Sequence, residues 1–263
     1  MTRARDATLE ILPDPDALAR RVADWLLAVV TQAEGNFAIA LSGGLTPHRL
    51  YRQLATAPYK LAFPWSRTHW FWGDERYVPH DSANSNCRGV REALLDLVPI
   101  PMGNIHPIPT HMPEPAKAAA AYEATLHAFY GATELDPARP LFDVVLLGLG
   151  TDGHTASLFP GSTALLERNR WVVPVIGMKP ETRITLTYPA LESTRQAAFL
   201  VEGEQKRAIL ARLRRGDTTV PAARLQPSGL LSIFTDTAAI TPSVADPTIK
   251  TGIAVGSGDQ QRR

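Results

Sequence analysis

The feature that most constrains this chain is the apolar run Phe142–Leu147, which stops abruptly at Gly148-Leu149-Gly150. An apolar run of strand length reads as a strand buried on both faces, and such a strand needs cover on both sides. Phe37–Leu41 has the same character, and further strands are predicted at residues 69–72, 171–175, 183–187, 197–201 and 230–234. Helical spacing fills the intervals. A helix over 17–30 follows the start signal Pro13-Asp14-Pro15-Asp16, and others are predicted over 86–97, 116–129 and 204–213. A further helix runs towards Leu54, with Thr46 at its N-cap and Pro47 at its first position. Strands alternating with helices predict an α/β fold, a mainly parallel sheet with helices on both faces.

Composition narrows the function classes. Lys and Arg number 27 against 26 Asp and Glu, and no basic block is longer than pairs such as Arg214-Arg215 and Arg262-Arg263. No surface is laid out for nucleic acid or anionic lipid, although a local pocket for a small anion is compatible. The single cysteine, Cys87, excludes an intramolecular disulfide. No histidine, cysteine or carboxylate set has metal-ligand spacing, so no metal is expected, and His48, His69, His80, His106, His111 and His127 read as structural or exposed. The N-terminal segment has no apolar signal core, and the apolar stretches at 25–30 and 141–149 are too short to cross a bilayer. The expectation is a cytoplasmic protein with no membrane partner: one α/β domain over 1–240 and a C-terminal tail over 241–263 with little periodicity. Nothing in the sequence fixes an oligomeric state.

Three chemically loaded turns each follow a predicted strand: residues 42–46, 73–76 and 148–154. In open sheets, ligands bind beyond the carboxyl ends of the strands, so these turns should gather on one edge. Ser42-Gly43-Gly44-Leu45-Thr46 offers freed backbone, two hydroxyls and a helix N-terminus, which suits a phosphate; by itself it is equally a tight turn before a helix. Gly148-Leu149-Gly150-Thr151-Asp152-Gly153 matches the spacing of a dinucleotide fingerprint. Asp152, however, sets a carboxylate where a pyrophosphate would lie, and no acidic residue closes the next strand. We therefore reject a dinucleotide. His154, just past that turn, can accept a proton at neutral pH, with Asp152 placed to orient it or to serve the turn. Asp74-Glu75-Arg76 reads as a solvated turn unless it meets a ligand, and Arg183 and Lys206 read as surface residues unless they converge on one anion.

Taken together these segments resemble the 6-phosphogluconolactonase and glucosamine-6-phosphate deaminase superfamily. Residues 41–47 resemble its first block, and residues 70–79, with Asp81 and Ser85-Asn86, its second. Residues 148–161 are similar to the third block, 183–187 to the fourth and 202–206 to the fifth, in family order over about residues 9–235. The deaminases have an acidic residue shortly after the shared histidine turn, whereas Ala156-Ser157-Leu158-Phe159-Pro160 has none; the lactonases carry the arginine found here as Arg76. Both differences favour the lactonase branch. The resemblance implies a Rossmann-like fold, no redox cofactor and no obligatory metal. It also implies a sugar-phosphate lactone substrate whose phosphate rests on Ser42, Gly43, Gly44 and Thr46 and is clamped by Arg183 and Lys206. His154 is the implied general base, with Asp74, Arg76 and Asp152 as its catalytic company. Two rival readings are a glucosamine-6-phosphate deaminase and a non-catalytic sugar-phosphate sensor; the latter would be expected to have lost the histidine that is present here.

Overall fold

The computed structural model describes residues 2–240; the tail expected over 241–263 lies outside the described residues. Ten strands follow in chain order: β1 (Thr8–Leu12), β2 (Phe37–Leu41), β3 (Thr68–Trp72), β4 (Asp74–Arg76), β5 (Ile105–His106), β6 (Phe142–Leu147), β7 (Val172–Val175), β8 (Arg183–Leu186), β9 (Thr194–Val201) and β10 (Leu230–Asp236). The α-helices are α1 (Pro15–Gln32), α2 (Leu45–Leu54), α3 (Tyr59–Ala62), α4 (Asn86–Val90), α5 (Pro115–Tyr130), α6 (Tyr188–Glu192), α7 (Arg207–Arg214) and α8 (Pro221–Arg224). None of them is long and apolar enough to cross a membrane.

Seven strands form one parallel sheet in the order β1-β10-β9-β6-β2-β3-β5, with helices on both faces. β2 is buried along its whole length and β6 at all but one position, as two-faced cover requires. The order also locates the crevice. From β2 the chain runs outward through β3 to β5, then returns beside β2 as β6 and runs outward the other way through β9 to β10. The switch point between β2 and β6 is where an open parallel sheet leaves room for a ligand, because the two connections depart in opposite directions.

The structure corrects the single-sheet expectation. β4, β8 and β7 form a separate antiparallel sheet of three strands, so the predicted strands at 171–175 and 183–187 do not join the main sheet. Asp74-Glu75-Arg76 is its first strand rather than a solvated turn, and Glu75 is only 1% exposed. β1 and β5, both edge strands, had no clear sequence signal. The predicted 86–97 helix begins as α4, capped by the Ser85 hydroxyl, and continues as a π-turn over Arg91–Leu95. α1 starts as the sequence predicts, with the Asp14 carboxylate accepting from the Ala17 N–H.

Two buried tyrosines finish the strand ends beneath the crevice. The Tyr51 hydroxyl of α2 accepts from the Ser42 N–H (3.1 Å) and donates to the Ser42 carbonyl (2.7 Å). Tyr122 of α5 does the same at Trp72, accepting at 2.8 Å and donating at 3.0 Å. Backbone groups that run out of ladder partners thus stay satisfied while the next residues turn into the site.

Candidate active site

Ser42 leaves β2 into the first glycine turn. Gly44, at φ +102°, is the N-cap of α2. The sequence expectation of Thr46 as N-cap is therefore wrong by two residues. A left-handed glycine makes the turn with backbone alone, so no side chain caps the helix and Thr46 instead lines the cavity. Gly43 is glycine for a steric reason: a Cβ there would sit 2.1 Å from Asn86 Oδ1. Asn86 in turn donates to the Asp74 carbonyl at 3.0 Å, tying the first turn to the second.

β4 presents Asp74 and Arg76 and buries Glu75 between them. The Glu75 carboxylate accepts from the backbone N–H groups of Arg76 (2.7 Å), Asn86 (2.7 Å) and Cys87 (2.6 Å), and from the Ser85 hydroxyl (3.1 Å). It holds the start of α4 against β4, a favourable place for negative charge. Burial nonetheless pushes its pKa up, against those hydrogen bonds. Asp74 accepts from the Ser157 hydroxyl at 2.6 Å. Arg76 lies directly across the ladder from Arg183 on β8. Burial, and then the charge of Arg76, lower the Arg183 pKa, while Asp74 and then Glu181, at 3.3 Å, offset part of this. Like charges facing each other across a ladder are unfavourable by themselves.

The third turn leaves β6. The Gly150 N–H donates to the His154 carbonyl (2.9 Å) and the Gly153 N–H to the Gly150 carbonyl (2.9 Å), closing a tight loop. Inside it the His154 imidazole Nδ1 meets Asp152 Oδ1 at 2.5 Å. With Nδ1 donating to the carboxylate, Nε2 is left to accept, and no protein group among the described residues bonds to it. Burial raises the Asp152 pKa, but the hydrogen bonds from His154 and the charges of His154 and Lys179 outweigh it and hold the carboxyl below its ordinary value. Phe159, almost fully buried, packs on the imidazole with ring centroids 4.6 Å apart. The loop is braced by Ala156 in the left-handed region (φ +47°) and by Ser157, whose N–H donates to the Thr185 hydroxyl at 3.1 Å.

Two glycines of this turn are required by close packing. A Cβ on Gly150 would lie 2.1 Å from His154 Nδ1, and one on Gly153, where φ is +87°, would strike Val220 at 2.6 Å. Beyond the turn, Lys206 donates to the Leu149 carbonyl at 2.6 Å, and burial lowers its pKa.

Ser42, Gly43, Gly44, Thr46, Asp74, Arg76, His154, Arg183 and Lys206 all line one cavity of about 400 Å³, and Asp152 stands behind His154. Sequence reasoning did not single out Lys179, Glu202 or Gln205, which also line it. Glu202 and Gln205 lie in the segment that carries Lys206, a signal that was available; Lys179, between β7 and β8, had none. Glu202 pairs with Arg49 (Nε to Oε2, 3.6 Å), and burial pushes its carboxyl up. No cluster of three or more His, Cys, Asp or Glu residues suited to a metal occurs among the described residues.

Fold and site together define a parallel α/β protein with a histidine–carboxylate pair facing a cationic crevice at the switch point of its sheet. Residues 13–233 match the family of glucosamine-6-phosphate isomerases/6-phosphogluconolactonase, and the chain belongs to that family. It is similar to the 6-phosphogluconolactonase of Nostoc sp., with 44% identity over 239 residues covering 88% of this chain and 96% of that protein. The 6-phosphogluconolactonase of Mycobacterium tuberculosis is 40% identical over 228 residues, covering 82% of this chain and 90% of its own length. Among solved structures, the 6-phosphogluconolactonase from Thermotoga maritima superposes with a TM-score of 0.75 at 30% identity, over 88% of this chain and 99% of that one.

Proposed function

We propose that this protein is a cytoplasmic enzyme that hydrolyses 6-phospho-D-glucono-1,5-lactone to 6-phosphogluconate, a step of the oxidative pentose phosphate pathway. The observation that carries the mechanism is the dyad: Asp152 takes Nδ1 of His154 and leaves Nε2 as the basic nitrogen of a cavity rich in cations.

In this reading the phosphate rests at the α2 N-terminus on Ser42, Gly43, Gly44 and Thr46, with Arg183 and Lys206 supplying charge. His154 Nε2 takes a proton from water as the water oxygen bonds to the lactone C1. The carbonyl oxygen becomes a tetrahedral oxyanion, for which Arg76 and backbone N–H groups are the donors. The intermediate collapses by breaking the bond between C1 and the ring oxygen. The imidazolium returns its proton to that oxygen, and the product acid ionises. Asp152 orients His154, and Asp74, fixed by Ser157, faces the sugar hydroxyls. No electrons are transferred, so the reaction calls for no redox cofactor.

The test is His154→Gln assayed on 6-phosphogluconolactone and corrected for spontaneous hydrolysis. A fall of about 10²–10⁴-fold in kcat with little change in KM is expected for loss of general acid–base catalysis. A folded variant with near-native kcat would move water activation to another group. Deamination of glucosamine-6-phosphate by the wild type, without lactone hydrolysis, would favour the deaminase reading, and binding of sugar phosphate without turnover of either compound the sensor reading.

A further inference from the structure

Lys179 is the one cation at the dyad that comes from the small antiparallel sheet. It sits on the connection between β7 and β8, and its Nζ lies 3.4 Å from Asp152 Oδ2, the oxygen that His154 does not use. The same ammonium stands 5.1 Å from the centre of the Phe159 ring, and Phe159 packs on the His154 imidazole. Lys179 and His154 thus share both a carboxylate and an aromatic neighbour. Its side chain is 38% exposed, so the contact is wet and adjustable.

A carboxylate beside a catalytic imidazole has two opposed effects. It fixes the ring and the tautomer, which a base needs, but it also stabilises the imidazolium, which removes the base as pH falls. A second cation on the same carboxylate divides its charge and leaves the orientation intact. The charged groups around the imidazole are Asp152 from its own loop, Lys179 from the β7–β8 connection, and Lys206, which acts on Asp152 from the segment before α7; Asp74 and Arg76 of β4, Arg183 of β8 and Glu202 line the same cavity. Lys206 is tied to the Leu149 carbonyl, so Lys179 is the cation in direct contact with the free carboxylate oxygen.

We propose that Lys179 is a positioning residue for the dyad: it holds Asp152 through Oδ2 and weakens the pull of that carboxylate on the His154 imidazolium. The kinetic consequence rests on the lactonase reading; the effect on the imidazole does not. Removing the ammonium leaves Asp152 wholly to His154, so the imidazolium gains stability and the acid limb of activity moves to higher pH. For a part-exposed charge the expected effect is a roughly threefold loss of kcat/KM on the acid side.

The experiment compares wild type with Lys179→Met, Lys179→Gln and Lys179→Arg. The readouts are the kcat/KM–pH profile on 6-phosphogluconolactone and an NMR titration of the histidine ring signals, with His154 assigned by its loss in His154→Gln. The expected result is an acid limb and a His154 titration both moved up in the Met and Gln variants, and both restored in the Arg variant. A His154 titration unmoved in folded Met and Gln variants would overturn the proposal, and so would a raised KM with an unmoved limb, which would make Lys179 a substrate ligand. If no variant, wild type included, hydrolyses the lactone, the functional reading fails while the NMR titration still decides the role of Lys179.

Discussion

Gly150→Ala isolates the geometry of the dyad without substituting either member. A methyl at residue 150 would lie 2.1 Å from His154 Nδ1, 2.3 Å from Cε1 and 2.6 Å from Asp152 Oδ1. Ordinary van der Waals contact begins at 3.4 Å, so the imidazole and the carboxylate must both shift. Gly150 is not in the left-handed region, so alanine suits the backbone, and the loop bonds from Gly150 to His154 and from Gly153 to Gly150 can persist. The expected stability change is within about 1 kcal/mol, as for a surface turn whose backbone conformation is kept. Catalysis should fall much further. Misplacing a catalytic group by about 1 Å costs on the order of 10²-fold, and losing the carboxylate that fixes the tautomer can cost more. The measurement is kcat on 6-phosphogluconolactone together with thermal unfolding, and Gly150→Ala combined with His154→Gln should be little worse than His154→Gln alone. A folded Gly150→Ala variant with near-native kcat would refute the view that the Asp152–His154 contact matters for turnover.

Three further outcomes follow from the site and the core. Arg183→Ala and Lys206→Ala should each weaken substrate binding roughly ten- to a hundred-fold, read mainly in KM, because a charge-assisted contact to the phosphate is lost; unchanged kinetics in both would dismiss the clamp. Glu75→Gln should lower stability by about 1–3 kcal/mol in urea denaturation, because both carboxylate oxygens accept from backbone N–H groups and an amide must turn its NH₂ towards at least one of them; equal stability would show that the network is dispensable. Glu192, pushed up to about 7 by burial, binds a proton in the folded state that the unfolded chain releases near its ordinary value of 4.5. Stability should therefore fall as pH rises from about 4.5 to 7, by at most about 3 kcal/mol, and level off above; Glu192→Gln should remove that slope while still accepting from the Gln226 N–H.

What the sequence determined by itself was whatever has a local signature. A strand covered on both faces writes its burial into consecutive residues, so Phe37–Leu41 and Phe142–Leu147 were legible to the residue. Asp14 announced α1 because its carboxylate caps a turn three residues away. Asp152 and His154 are two residues apart, so their partnership could be read before any fold was known. Only the tertiary structure decided the rest. The β4–β8 pairing joins segments about a hundred residues apart, and nothing near Asp74 or Arg183 encodes which strand lies opposite; the facing of Arg76 and Arg183 is a property of register alone. Glu75 looked like one charge among three in a turn, and became a buried anchor because the start of α4 folds back onto it. Thr46 was misread as a cap because local propensity favours a hydroxyl there, whereas Gly44 makes the turn with its backbone and frees Thr46 for the cavity. Lys179 carried no motif at all. It reaches Asp152 because the small sheet packs against the mouth of the large one, and chain distance says nothing about that contact.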